Sequence, residues 1–520
     1  MGQFNCSQNM GNDKVLFMRI QIAVVAIAVI LIAGENLEAV ADSQSSTEDS
    51  TSSIVATKPT LEIEGGYAKY GDYIGLTPVD TQSVEFSQRI VKDIQIRFVN
   101  NKDQLIDDKG QPIKGRTQKE FIIGLLKLKP GEVFREDLLE VDLQRLRRLE
   151  SFNEVNVYRQ EDANSVNLIY EIKERNFPSL ILGGGSNEDV GLFGRVGYKD
   201  ENISGLNDKL DTTVQISGKD VQFNGQFTSR YRPEEPNRLG YSIKAFRNRN
   251  ISGTFNEDIR LSNGDKVREG RFGGSVGVLR SFDEWDAAIS LNYTRISLRD
   301  RDYKVVQVDS LGNPLSVSGT GIDDLYTVLF SVSRDQRDRR ENPTQGSILT
   351  LSTEQAIPIG LGNISSNRLL GDYIQYLPVS WIGNGRPTDN PEMLAINLQI
   401  GTTIGDFPPA DAFNIGGLDS VRGYGYGKVA SGRSYGLASV EYRFPIFQSI
   451  GGVIFTDFAS DFGSSETVLG EPGVLRDKPG SGFGYGLGLR VKSSFGLIRG
   501  DLGISDRGEL RFEVTTGQRF

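Results

Sequence analysis

Histidine is missing from all 520 residues; cysteine occurs once, tryptophan twice and methionine four times. Without imidazole, the Ser-His-Asp and Cys-His routes to an activated nucleophile are closed, and most transition-metal sites lose their usual nitrogen ligand. Two local motif matches fail for the same kind of reason. Gly273-Gly274-Ser275-Val276-Gly277 fits the G-x-S-x-G hydrolase elbow but has no histidine to serve it. Gly427-Lys428 resembles the end of a phosphate-binding loop, yet Val429 stands where serine or threonine is required. No cofactor site and no catalytic constellation emerge, so an enzyme is not expected. Basic tracts are also lacking, and a net charge of -10 argues against nucleic acid as a partner.

Long apolar runs are scarce as well. The principal one, Ile22 to Ala33, has 12 residues, against the roughly 20 a spanning helix needs. Lys14 and Arg19 precede it and Ala39-Val40-Ala41 follows, the order of a secretory signal peptide cut before Asp42. The lone Cys6 lies ahead of the apolar run and would leave with residues 1–41, so the exported chain is expected to have no thiol chemistry.

What is abundant is glycine, at 60 residues, together with aromatics and alternating patterns. Residues 42–88 are rich in Ser, Thr and Gly and read as a flexible linker. From Arg89 the pattern becomes structured. Ile94, Ile96 and Phe98 alternate with polar neighbours as in a half-buried strand. A polar insertion, residues 100–116, leads to Thr117, the expected N-cap of a short helix through Leu126. Leu139, Leu143 and Leu146 share one face of a second helix. Val155 and Val157, then Val166, Leu168, Tyr170 and Ile172, complete a strand-helix-helix-strand-strand unit over 89–176.

From residue 177 to 520 the helical signal is gone. Runs of alternating apolar and polar residues begin near 180, 189, 207, 220, 238, 267, 284, 323, 345, 368, 393, 433, 450, 482, 495 and 508. In one run Phe483, Tyr485, Leu487, Leu489 and Val491 oppose Gly484, Gly486, Gly488, Arg490 and Lys492. In the last, Leu510, Phe512, Val514 and Phe520 oppose Arg511, Glu513 and Arg519. A soluble sandwich would bury the apolar face, whereas a transmembrane barrel turns it to lipid. The signal peptide and the aromatics near strand ends favour the barrel. The fold class expected is mainly β: an antiparallel transmembrane barrel of about 16 strands, an even count, preceded by one small α+β domain.

The segment FNIGGLDSVRGYGYG, residues 413–427, resembles the signature loop of the BamA/TamA surface-antigen superfamily of outer-membrane barrels. Residues 89–176 resemble its POTRA module. ASVEYRFPI at 438–446, FTDFA at 455–459, GLGLRVKSSFG at 486–496 and the ending GQRF are similar to its C-terminal motifs. The insertion in the POTRA and the wording from Arg433 to Phe444 are most similar to the cyanobacterial and chloroplast-envelope branch. A single readable POTRA, with Ser151, Ala459 and Ser494 at positions where the family commonly differs, reads as a short paralogue.

The resemblance implies that the glycine-rich loop folds back into the barrel as a latch. It brings Val421, Arg422, Gly423 and Tyr424 to the inner wall, with Arg422 meeting Glu441 and Asp457. Alternation agrees for Glu441, which shares the lumen parity with Ser439 and Arg443. Arg490, Lys492, Arg499 and Asp501 share that parity and read as general lumen charges. A lateral seam is expected where the first strand, weakened by Gly183, Gly184 and Gly185, meets the last. Phe520 is placed on the lipid face there, as a terminal recognition signal. The implied function is assembly of outer-membrane proteins, with the POTRA in the periplasm receiving unfolded clients and the seam templating insertion. Implied partners are those clients, outer-membrane lipid and accessory assembly proteins. A two-partner-type secretion pore and a passive diffusion channel remain open alternatives.

Overall fold

The computed structural model describes residues 89–520 except 176–177, 188–189, 233–234, 236, 256–258, 283, 341, 383–391, 448 and 494–495. The expected signal peptide and linker lie outside the described residues. The first body is a three-stranded sheet with two helices. Strand β1 (Ile90–Val99) runs parallel to β3 (Ser165–Glu174), which pairs antiparallel with β2 (Phe152–Glu161). Helices α1 (Lys119–Leu125) and α2 (Glu136–Arg147) cover one face. The apolar residues of the sequence pattern supply the core: Ile94, Ile96 and Phe98 meet Leu139, Leu143 and Leu146 over Leu168, Tyr170 and Ile172, all buried. Order β1-β3-β2 leaves β2 with one paired side.

Thr117 does not cap α1. The N-cap position falls on Gln118, without a side-chain cap. Thr117 instead takes Glu174 through its main-chain N–H (2.8 Å) and hydroxyl, and its Oγ1 accepts from Asn202 Nδ2 at 2.8 Å. A polar group this buried is held by the strongest acceptor in reach, and here that is a carboxylate on β3.

The second body is one antiparallel sheet of 16 strands. In chain order these are β4 (Ser179–Asn187), β5 (Gly191–Asp200), β6 (Lys209–Ser217), β7 (Val221–Ser229), β8 (Gly240–Ile251), β9 (Arg268–Phe282), β10 (Trp285–Arg299) and β11 (Ile322–Asp335). The series continues with β12 (Gly346–Ile357), β13 (Ser366–Pro378) and β14 (Met393–Gly405). After a small hairpin of β15 (Phe413–Ile415) and β16 (Ala430–Gly432), it ends with β17 (Ser434–Phe447), β18 (Ile450–Ser460), β19 (Ser481–Ser493), β20 (Gly496–Ser505) and β21 (Leu510–Thr516). Each strand begins within three residues of an alternating run seen in the sequence. Neighbours in sequence are neighbours in the sheet, β14 pairing with β17 around the hairpin.

The two faces of this sheet invert the soluble rule. Leu291, Ile400, Leu487 and Leu489 are exposed, while Glu441, Asp457, Arg490 and Asp501 on the opposite parity are buried. Apolar outside and charged inside is the arrangement of a barrel bathed in lipid. Among the described residues, no ladder pairing joins β4 to β21, the two ends of the sheet. Gly273–Gly277 lies in the middle of β9, not in a strand-to-helix turn, so it is no nucleophile elbow.

Long loops close the end of the barrel away from the β5–β6 turn. Phe255, Leu261 and Val267 from the β8–β9 loop pack with Leu315 from the β10–β11 loop and Ala410 from the β14–β15 connection. Lys478 of the β18–β19 loop donates to Gly253 O (2.8 Å), Thr254 O (3.1 Å) and Ser431 Oγ (2.6 Å), tying three loops together. Arg476 of the same β18–β19 loop forms a buried pair with Asp309 of the β10–β11 loop at 3.3 Å.

Candidate functional site

Between β15 and β16 the chain turns into the lumen. Gly416, Gly417, Gly423 and Gly427 all have positive φ there. At Gly423, with φ 94°, a side chain is excluded twice over: a Cβ would lie 2.6 Å from the β20 backbone at Ile504. The wall is cut to match. A Cβ on Gly484 would sit 2.0 Å from the Arg422 carbonyl oxygen, and one on Gly503 would sit 2.5 Å from Gly423 N. Glycines on the lumen face of β19 and β20 thus form the groove that takes the loop backbone. Gly486 leaves room for the Phe455 ring and Gly488 for the Asp501 carboxylate.

This groove aims Arg422 at three carboxylates. Its Nε donates to Asp457 Oδ2 at 2.8 Å and Nη2 to Asp457 Oδ1 at 2.9 Å, a bidentate fork. Nη1 reaches Glu441 Oε1 at 2.7 Å and Asp501 Oδ2 at 3.4 Å. The Arg422 main-chain N–H adds a bond to Asp457 Oδ2 at 3.1 Å. The guanidinium carbon lies 3.4 Å from the Phe455 ring centroid. Only 1% of the residue is exposed, so desolvation opposes its charge; the carboxylates outweigh that cost, Glu441 first, and its pKa is raised. Val421 and Tyr424 pack with Ile415, Val429 and Leu437 around it. Tyr424 donates its hydroxyl to Asp506.

The cluster is wider than the latch expected from the sequence. Glu441 also accepts from Arg443 Nε at 2.9 Å, and Asp501 from Arg490 Nη1 at 2.6 Å. Arg499 stands 3.5 Å from Asp501. Arg490, Arg499 and Asp501 are therefore members of the site, not scattered lumen charges. Ser439 donates to Asp457 Oδ1 at 2.6 Å. Arg519, which alternation placed simply on the polar face, gives Nη1 to Asp457 Oδ1 at 2.7 Å and Nη2 to the Ser420 carbonyl. All three carboxylates are engaged by guanidinium groups, and the arrangement fixes a loop and residues 519–520 to one wall.

Phe520 is the main correction. The structure does not place it on the lipid face with Gly183, Gly184 and Gly185. Strand β21 stops at Thr516, and Gly517, with φ 85°, turns the chain inward. Phe520 packs with Tyr376, Met393 and Ala395 inside the barrel, and its main-chain oxygen accepts from Arg443 Nη2 at 3.3 Å. Period-2 parity carried past a glycine of positive φ gave the wrong face. Gly183, Gly184 and Gly185 pair with Arg195, Gly194 and Phe193 of β5, within the edge strand β4.

A charged, glycine-cradled loop inside a 16-stranded sheet can be set against known proteins. A family model described as the Omp85 superfamily domain matches residues 202–520. The chain belongs to the Omp85 superfamily. A second model, the surface antigen variable number repeat or POTRA, matches residues 111–175. Outer envelope protein 80, chloroplastic, of Arabidopsis thaliana is 30% identical over 473 residues, covering 88% of this chain and 61% of that protein. Protein TOC75, chloroplastic, of Pisum sativum is 24% identical over 454 residues, covering 80% of this chain and 55% of the relative. The chain thus spans little more than half the length of these relatives. BamA from Haemophilus ducreyi lacking POTRA domains 1-3 shares the fold with a TM-score of 0.50 at 15% identity, covering 82% of this chain and 84% of that one. The Omp85 chain described here is an outer-membrane β-barrel with a POTRA domain on its soluble side.

Proposed function

We propose that this Omp85 barrel inserts proteins into the outer membrane through the seam between β4 and β21, and that it is not an enzyme. In this reading residues 1–41 are a signal peptide, 42–88 a linker, 89–176 the POTRA in the periplasm and 177–520 the barrel. The observation that carries it is the unpaired pair of sheet ends. The β4 and β21 backbones each have one ladder neighbour among the described residues, and an incoming strand would satisfy both open edges. The latch of Val421, Arg422, Gly423 and Tyr424 on Glu441 and Asp457 keeps the neighbouring wall, β17 to β20, rigid while the seam works. The POTRA would receive unfolded clients by adding them as a strand to the free side of β2. Accessory assembly proteins and membrane lipid complete the partners.

The closed loop end, where Lys478 ties its own loop to two others, favours this sideways route over the alternatives. A two-partner-type secretion pore or a passive diffusion channel would need an axial path past that cap. Deletion of residues 89–176 separates the three readings when ion conductance and client insertion are measured independently. The insertion reading expects client insertion to fail while the barrel still folds. Unchanged insertion without the POTRA contradicts it.

A further inference from the structure

Beneath the POTRA, two cavities carry a charge opposite to that of the whole chain. One, of about 490 Å³, lies between the POTRA helices and the lumen ends of β7, β9, β10 and β11. Arg145, Arg148, Arg230, Arg280 and Arg340 line it against a single carboxylate, Asp286. The other, of about 750 Å³, is bounded by the first half of β2, residues 152–156, and by the β11–β12 turn with Arg339 and Arg340. Arg148 and Arg340 line both, so the cavities share one basic wall.

Several of these cations lack the partners that the Arg422 cluster supplies so fully. Among the described residues the Arg148 side chain makes no hydrogen bond or ion pair, and its Nε is buried. Arg340 has one ion-pair partner, Asp335 at 3.6 Å, and burial together with Arg230 pushes its pKa down. Of the carboxylates lining the second cavity, Glu150 takes Arg230 at 3.1 Å, Asp338 accepts from Thr344 N (2.8 Å) and Thr344 Oγ1 (2.7 Å), and Glu140 and Glu154 accept from the amides of Gln144 (3.4 Å) and Asn156 (3.0 Å). Half-buried guanidinium groups with so little counter-charge beside them gain from a further anion. In a chain of net charge -10, this wall is a local exception.

We infer that the groove formed by the free side of β2, the end of α2 and the β11–β12 turn binds an extended polypeptide segment rich in carboxylate side chains. The inference rests on the reading that β2 receives clients by strand addition and adds their chemistry. A peptide laid along residues 152–156 places every second side chain toward the Arg148–Arg340 wall. Glutamate or aspartate there adds counter-charge, and the arginine forks bind it bidentately.

The test uses the full chain folded in lipid nanodiscs and three synthetic peptides, alternating valine with glutamate, glutamine or lysine. The glutamate peptide is expected to bind about tenfold more tightly than the glutamine one, a difference of about 1.4 kcal/mol. That preference should fade as ionic strength approaches about 1 M, where the screening length falls to about 3 Å. Arg148→Glu with Arg340→Glu should shift the preference to the lysine peptide, and Arg148→Gln, a milder change, should weaken glutamate binding alone. Equal binding of the glutamate and glutamine peptides overturns the acidic preference while strand addition stands. Failure of all three to bind overturns both. Displacement of the glutamate peptide by inorganic phosphate, without loss of the glutamine peptide, means that the wall reads a free oxoanion and also overturns the proposal.

Discussion

Arg422 makes contact with three carboxylates, an aromatic ring and, through its carbonyl, a glycine-lined wall, so its loss should be felt well beyond one ion pair. Removing one partner from a buried pair costs about 3–5 kcal/mol because the other charge is left uncompensated. Arg422→Ala and Asp457→Ala are each expected to lose that much in urea unfolding from lipid vesicles, and the double variant less than their sum. Strict additivity means the two side chains do not act together. Glu150, at the POTRA junction with Arg230, offers a pH readout. Burial opposes its charge, but Glu201, Arg230 and Lys209 hold its pKa down at about 2 against an ordinary 4.5. A depressed carboxylate stabilises above its unfolded pKa and loses that contribution as pH falls through the folded one. Protease protection of the junction in wild type over Glu150→Gln should therefore be constant down to about pH 4.5 and vanish near pH 2. A difference that grows as pH falls contradicts the pairing. The sequence made Arg422 and Glu441 legible through motif and parity. Arg519 was not, because its partner lies 62 positions away and beyond a glycine turn that resets the alternation.

Among the elements, β19 and β4 both carry alternating or consecutive glycines, and the structure gives them different jobs. Gly484 faces the Arg422 carbonyl at a hypothetical Cβ distance of 2.0 Å, while a Cβ at Gly183 meets nothing within 4 Å. Gly484→Ala should expel the loop and destabilise about as strongly as Arg422→Ala. Gly183→Ala should be neutral or stabilise by about 0.5–1 kcal/mol, the usual gain from replacing a strand glycine. Reversed signs in thermal unfolding would mean that the groove is misassigned. The starts of all 16 strands could be read from period-2 alternation because each strand has one face in lipid and one in the lumen, which keeps the signal clean. The glycine face of β19 could be seen but not interpreted: alternation reports which way a residue points, not what backbone approaches it. Thr117 shows the converse failure, since its local sequence signals a cap while a carboxylate on β3 claims its hydroxyl.

At the scale of the molecule, the barrel is capped by loops at one end, faced by the POTRA at the other and, among the described residues, without ladder pairing between β4 and β21. Lys478→Met removes the donor that joins three loops and is expected to raise single-channel conductance without lowering barrel stability by more than about 1–3 kcal/mol, the cost of leaving acceptors unsatisfied. Unchanged conductance shows that the cap does not set the axial path. The seam itself was legible only in part. Weak glycines marked β4 as an edge, but the inward course of residues 517–520 depends on the positive φ at Gly517 and on the Arg519 and Phe520 contacts, none of which alternation reveals. The proposal that clients enter the membrane between β4 and β21 meets its most direct test in a disulfide across that gap. Cysteines placed in 180–185 and 510–516, in a chain whose only natural cysteine is Cys6, should stop client insertion when oxidised and restore it on reduction. Insertion at the wild-type rate with the disulfide fully formed contradicts the lateral route.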